Sequence, residues 1–299
     1  MSVEIDGDGA RPASWRRAAH SPDQLLIPRR VARVAAAAGN AGYTLVTTDD
    51  SVLPPAISPD SVGRIGAVER ATFVAASTST IGIAPFVPVT YAEPFHASSQ
   101  LASLDHISAG RARWVVTEDD RAEAALAWGR PLVAGADARA RESRDGVEVA
   151  RTLWDSWEDD AVIRSMATSR YFDRERLHYI DLTGETYAVM GPAIVPRPPQ
   201  GQLVALGGPD RVSAAQLDVV LVEGRDLAAV TAAAAAPAQY QRPPPRRAHR
   251  PTQGTRPRPQ REGHPLGRTP LQHRSLTNLE PQPPSAEGGK FRRRTATEG

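Results

Sequence analysis

The sequence predicts an α/β fold built on a parallel sheet. Three observations carry this. A β-loop-α unit recurs four times within about the first 115 residues, the alternation that parallel sheets and barrels require. The stretch Glu93–Thr117, EPFHASSQLASLDHISAGRARWVVT, reads as a complete helix-to-strand unit. The strand within it, Ala112–Val116, is too continuously apolar to expose one face, as strands buried on both sides of a parallel sheet are.

The elements follow in chain order. Val3–Asp6 predicts a short strand, ended by a loop holding Gly7, Gly9 and Trp15. Pro28–Gly39 predicts a helix with Val31, Val34 and Ala35 on one face. Tyr43–Thr48 is the second strand, stopped by Asp49, Asp50 and Ser51, and a Pro-rich loop over 52–62 leads to a helix at Gly63–Ala76. Ile81–Phe86 is the third strand, continuing through Pro88 to Thr90. Glu93-Pro94 then opens the organising helix, because proline's missing N–H costs nothing in a first helical turn. Gly110 closes that helix, and the fourth strand follows. Arg139–Trp157 predicts a long helix, and 164–200 an irregular insertion with a hairpin in HYIDLTGETYAVMG. Leu203–Leu206 is a fifth strand, Asp210–Gln216 a short helix, Asp218–Val222 a sixth strand and Asp226–Ala236 a further helix. The expected domain is therefore 1–236.

Composition narrows the function. There is no cysteine, so neither a disulfide framework nor a thiolate metal site is expected. No apolar run reaches the roughly 18 residues a membrane span needs. The acidic start MSVEIDGDGA lacks the order of a signal peptide, so a cytoplasmic protein is expected. The net charge of +2 hides two unlike parts: residues 237–299 carry twelve Arg and one Lys against four Glu, a net +9, which leaves −7 for residues 1–236. An acidic body gives no reason to expect nucleic acid. The tail holds 12 Pro among its 63 positions and few apolar clusters, a composition that predicts disorder. Residues 1–236 contain no lysine and are rich in Arg, Ala, Pro and Gly, whose codons are GC-rich. The tail is therefore expected to be an out-of-frame reading of GC-rich DNA, with a genuine disordered basic tail as its rival.

Single residues carry weaker signals. Asp49-Asp50 reads first as a solvated strand end or helix cap, and second as a polar group aimed into a barrel mouth. His96 and His106, ten apart on one helix, lack the spacing of a zinc pair. Gly207-Gly208 after a strand could let backbone approach a phosphate, or form a plain turn. No P-loop, nucleophile elbow or dinucleotide fingerprint is present.

The long motifs add a resemblance. EPFHASSQLASLDHISAGRARWVV resembles the signature of bacterial luciferase-like flavin monooxygenases, in the branch of nitrilotriacetate and dibenzothiophene-sulfone monooxygenases. AGYTLVTTDDS, ARTLWDSWEDDAV and RYFDRERLHYIDLTGETYAVMGPAIVPRPPQGQ resemble further blocks of that family in the same order, over roughly residues 1–225. The resemblance implies a (β/α)8 TIM-barrel type fold, here incomplete at about six strand–helix units, with the first and sixth strands at open edges. It implies reduced FMN bound at the strand C-termini and supplied by a separate flavin reductase, with dioxygen used on a small organic molecule. A deazaflavin coenzyme is the alternative. So is a non-catalytic remnant that only binds a partner, and a homo-oligomer stands open beside a monomer. Asp50, Thr90 and Thr117 match family positions near the flavin, and Gly207 and Gly208 stand where the family often has QAGSS, whose hydroxyls contact the phosphate. WVVTED replaces a WNVVTS-type block that lines the cofactor. Asp50, Thr90 and Thr117 are expected to converge within one pocket at the carboxyl ends of the second, third and fourth strands.

Overall fold

The computed structural model describes residues 1–6, 14–18, 20–21, 24, 26–50, 52–53, 63–208, 216–222 and 224–235. All fall within the unit Met1–Thr252. The expected helix at Asp210–Gln216, all but its last residue, the loop prolines 54–62 and the tail 237–299 lie outside the described residues.

Among the described residues, six parallel strands form one sheet: β1 (Ser2–Glu4), β2 (Leu45–Thr48), β3 (Gly82–Pro88), β4 (Arg113–Thr117), β9 (Val204–Gly207) and β10 (Val219–Val220). They are hydrogen-bonded in that spatial order, so each strand lies beside the next one in the chain, as in a (β/α) barrel, and β1 and β10 are the outer strands. The helices are α1 (Pro28–Asn40), α2 (Ala67–Ser77), α3 (Pro94–Ser108), α4 (Ala122–Ala127), α5 (Ala136–Trp154) and α6 (Leu227–Ala235). Two small antiparallel hairpins, β5 (Val162–Ser165) with β6 (Arg170–Phe172) and β7 (Leu182–Thr183) with β8 (Ala188–Val189), build the insertion. No helix among the described residues is long and apolar enough to cross a membrane.

Several expected boundaries move. α2 starts at Ala67 rather than Gly63, because the Asp50 carboxylate accepts the Ala67 N–H at 2.6 Å and fixes the first turn there. The expected Arg139–Trp157 helix starts earlier and ends at Trp154; Trp157 instead bridges to Leu177 and donates its indole N–H to the Ala193 carbonyl. The short helix α4 and the first hairpin carried no apolar periodicity long enough to read. The residue that turns α3 out of its helix is Ala109, left-handed at φ 52°, and Gly110 at φ 82° follows it.

The two faces of the sheet differ. Val46, Ile83, Val87, Trp114, Val116 and Ala205 pack against the helices in the main core. Trp114 meets Trp154 of α5 edge-to-face, with centroids 6.2 Å apart. Ala84, Val115 and Leu206, flanked by Leu45, Phe86 and Val204, form a separate cluster on the opposite face, which is helix-free among the described residues. The two-residue alternation of strands thus sorts every sheet residue to one face or the other.

The motif around α3 runs from the carboxyl rim at Glu93 to the amino-terminal rim, which its C-terminal half closes. Glu93 caps its own helix, its carboxylate accepting the N–H groups of Phe95 at 3.1 Å and His96 at 2.6 Å. Asp105, fully buried, accepts from the backbone and side chain of Gln200, at 3.1 and 2.6 Å. Gln200 in turn accepts from Arg113 at 2.6 Å. The Arg111 guanidinium donates to the carbonyls of Ala75, Thr78, Ile81 and Ser108 and to the Thr78 hydroxyl, at 2.7–3.2 Å. One arginine so ties the end of α2 to the starts of β3 and β4.

Candidate active site at the carboxyl rim

Because all six strands are parallel, their carboxyl ends share one rim. The register pairs Thr48 with Pro85 and Pro88 with Thr117, and Leu206 with Val115. Asp50, Thr90, Thr117, Gly207 and Gly208 all stand on or just beyond this rim, but they are differently engaged.

Thr48 faces the helices, its hydroxyl donating to the Ala67 carbonyl at 3.1 Å. Asp50, two residues on, keeps that side and caps α2. The alternation assigns the residue between them, Asp49, to the helix-free face with Leu45 and Thr47. Its backbone is clamped: the N–H donates to the Asp6 carboxylate and the carbonyl accepts from Arg70. Burial pushes the Asp49 carboxyl above its usual range, against the pull of Arg64 and the Asp50 N–H, while the Asp50 charge adds to the rise.

Thr90 is fully buried, and its hydroxyl oxygen accepts the Asp119 N–H at 2.6 Å. That bond joins the loop after β3 to the loop after β4. Asp119 is held below the ordinary carboxylate range chiefly by hydrogen bonds from Arg121. Thr117 lies on the helix-free face with Val115, half-buried, and its hydroxyl has no hydrogen-bond partner among the described residues. At Gly207 a Cβ would meet the Leu217 side chain at 3.1 Å, so close packing alone accounts for this glycine. A Cβ at Gly208 would meet nothing within 4 Å, which leaves its backbone open to approach.

A buried polar cluster stands behind this rim, and it was not singled out from the sequence. Tyr91 adopts φ 64°, costly for a non-glycine residue by about 1–3 kcal/mol. Its N–H donates to Glu142 of α5 at 3.1 Å. Glu142 is only 1 % exposed, and it also accepts from Arg130 and from the Tyr187 hydroxyl, both at 2.7 Å. Hydrogen bonds to a charged group contribute about 1.5–3 kcal/mol each, so the cluster outweighs the strain. Burial pushes the Tyr187 hydroxyl upward, with Glu142 adding to the rise against Arg130, which keeps it a donor. For Arg130, burial pulls downward, but Tyr187 and Glu142 together outweigh it. The signal in the sequence was a carboxylate on an apolar stripe: Glu142 precedes Gly146, Val149 and Leu153 on the buried face of one helix.

Among the described residues no group of three or more His, Asp or Glu is placed to hold a metal ion. Among the described residues, the rim offers an apolar floor, a hydroxyl at Thr117 without a hydrogen-bond partner and an approachable backbone at Gly208. These suit a ligand with an apolar body and a few polar anchors.

Comparison with known proteins agrees with this geometry. A profile of the luciferase-like monooxygenase family matches residues 13–251. N-acetyl-S-(2-succino)cysteine monooxygenase of Bacillus subtilis (strain 168) is 34 % identical over 207 residues, 69 % of this chain and 47 % of its own. Nitrilotriacetate monooxygenase component A of Aminobacter aminovorans is 42 % identical over 128 residues, 42 % of this chain and 28 % of its own. The crystal structure of a riboflavin lyase with modified FMN and riboflavin superposes with a TM-score of 0.58 at 25 % identity, covering 70 % of this chain and 48 % of that one. The chain spans about half or less of the length of these relatives. The six-strand parallel order, the α3 motif and the family match together make this chain a member of the luciferase-like monooxygenase family.

Proposed function

We propose that this chain forms the flavin-binding part of a monooxygenase that takes reduced FMN from a separate flavin reductase and uses dioxygen to oxidise a small organic substrate. The observation that carries the reading is the carboxyl rim itself: an apolar floor with the uncommitted Thr117 hydroxyl and the open Gly208 backbone on a sheet strung in barrel order. Reduced FMN, when bound, supplies the electrons that activate dioxygen. The chain's own contribution is binding and exclusion. Thr117 and Gly208 would anchor polar parts of the ring or phosphate chain, while Val115, Leu206 and Phe86 keep water from the rim's floor. Asp50 and Thr90, occupied in capping α2 and in joining two loops, would act by shaping the rim. A reductase partner is supported by the relative whose name makes it component A of a larger system. The FMN reading is supported over a deazaflavin by the relative with modified FMN in its structure.

Anaerobic titration of the chain with reduced FMN, followed by fluorescence, tests this. Saturable binding, lost in part in Thr117→Val, is the expected result. No binding at high micromolar FMN would overturn the reading, and binding of a reduced deazaflavin alone would replace FMN with that coenzyme.

A further inference from the structure

The insertion hairpin and the rim loop after β3 meet at one buried carboxylate. Glu142 and Asp145 lie one turn apart on α5, and both are buried. Asp145 takes the hairpin tip, accepting from the N–H of Thr186 at 2.7 Å and from its hydroxyl at 2.9 Å. Glu142 takes the next residue, accepting from Tyr187 at 2.7 Å. On its other side the same Glu142 oxygen holds the N–H of left-handed Tyr91. Arg130 completes the unit, lying 5.9 Å from the Tyr91 ring centroid and 5.5 Å from that of Tyr187. The Tyr187 hydroxyl also stands 3.4 Å from the Val89 carbonyl and 3.3 Å from that of Ala92, on either side of the strained residue.

From this arrangement we infer that Tyr187 and Glu142 are positioning residues, through which the insertion hairpin holds the rim loop 89–92 in the strained shape that sets Thr90 and the mouth of the sheet. A left-handed tyrosine persists only where its surroundings over-determine it, and here the hairpin supplies part of that determination. The hairpin and the rim are therefore coupled: whatever orders one favours the other, by the reciprocity of linked equilibria. The consequence for flavin rests on the function proposed above, whereas the coupling itself does not.

Amide hydrogen exchange on the full chain tests the coupling directly, because the Tyr91 N–H is protected by Glu142. Tyr187→Phe removes one hydroxyl and leaves the ring. It is expected to speed exchange at Tyr91 by roughly tenfold. Thr186→Val, one residue away, removes the hydroxyl bond to Asp145 while the backbone N–H bond remains, and is expected to leave Tyr91 exchange within about twofold of the parent. Equal acceleration in both variants means general loosening of the hairpin and overturns the proposal, as does unchanged exchange in Tyr187→Phe. If the parent binds reduced FMN, Tyr187→Phe should weaken that binding several-fold and Thr186→Val should not; equal affinities in all three would remove the rim from the hairpin's reach. If the parent binds no flavin, the proposed function fails while the exchange result still decides the coupling.

Discussion

The two rims of the sheet are built from the same kinds of residue and do opposite things. At the amino rim, Asp105, Arg111, Arg113 and Gln200 satisfy one another and the surrounding backbone. At the carboxyl rim, Thr117 has a hydroxyl without a partner among the described residues, Asp49 is a carboxyl disfavoured by burial, and Tyr91 sits in a strained conformation. Completed networks mark the rim that stabilises, and unfinished polar groups and strain mark the rim where flavin binding is proposed, the division expected for the two ends of a barrel-type sheet. The C-terminal half of the family signature, Asp105 to Arg113, therefore reports the stabilising rim, and it identifies the fold more directly than it identifies the chemistry.

The largest test of this contrast is Arg111→Met. The change removes every donor to four carbonyls at the junction of α2, β3 and β4. It is expected to cost about 3–5 kcal/mol, by leaving buried acceptors unpaired. Against a typical total of about 5–15 kcal/mol, urea denaturation should show a large drop in midpoint. A loss below about 1 kcal/mol would mean that the amino rim is not where this sheet is held.

Thr90→Val asks whether the carboxyl rim has a structural part of its own. The variant keeps the shape but deprives the buried Asp119 N–H of its acceptor. A cost of about 1–3 kcal/mol is expected, again by denaturant unfolding. A neutral result would make Thr90 available to a ligand instead.

How much of this was legible follows from which rules the residues obey. The six strands and their order could be read because each has an apolar run followed by a helix with its own start or stop signal, such as Glu93-Pro94. The side on which a strand-end residue falls was also within reach, since counting by twos from Val46 takes Thr48 and Asp50 to the helices and leaves Asp49 opposite. That count separates the two acids, which a motif match does not. Glu142 announced itself only as a carboxylate on an apolar stripe, and its partners Tyr91, Arg130 and Tyr187 are 51, 12 and 45 positions away. No local pattern links such residues. Gly207 shows a different limit: a glycine packed against the Leu217 side chain looks, in sequence, the same as one placed to approach a phosphate.

Thr117→Val sharpens the comparison with a smaller effect. The hydroxyl is half-buried with no protein partner among the described residues, so stability should change by no more than about 0.5 kcal/mol. Reduced-FMN affinity should fall about three- to tenfold, the worth of one hydrogen bond. A stability loss comparable to that of Thr90→Val would show that the hydroxyl is committed within the fold.

The smallest effect is expected from Asp49→Asn, and its sign is the informative part. Burial raises the Asp49 pKa above the ordinary 3.8, with Arg64 opposing and Asp50 reinforcing, while Asp6 and Arg70 grip its backbone. Between 3.8 and the raised value the folded chain binds more protons than the unfolded one, so stability falls as pH rises through that window. Above the window the whole penalty remains. An asparagine carries no such penalty, so the variant should be more stable than the parent near neutral pH, and the gain should shrink to nothing as pH falls below 3.8. Thermal unfolding of both proteins from about pH 7 to about pH 3 measures this. A variant less stable than the parent at neutral pH would mean that the Arg64 attraction outweighs the burial. Asp49 would then belong with the self-satisfied groups of the opposite rim, and the division between the two ends of the sheet would fail at β2.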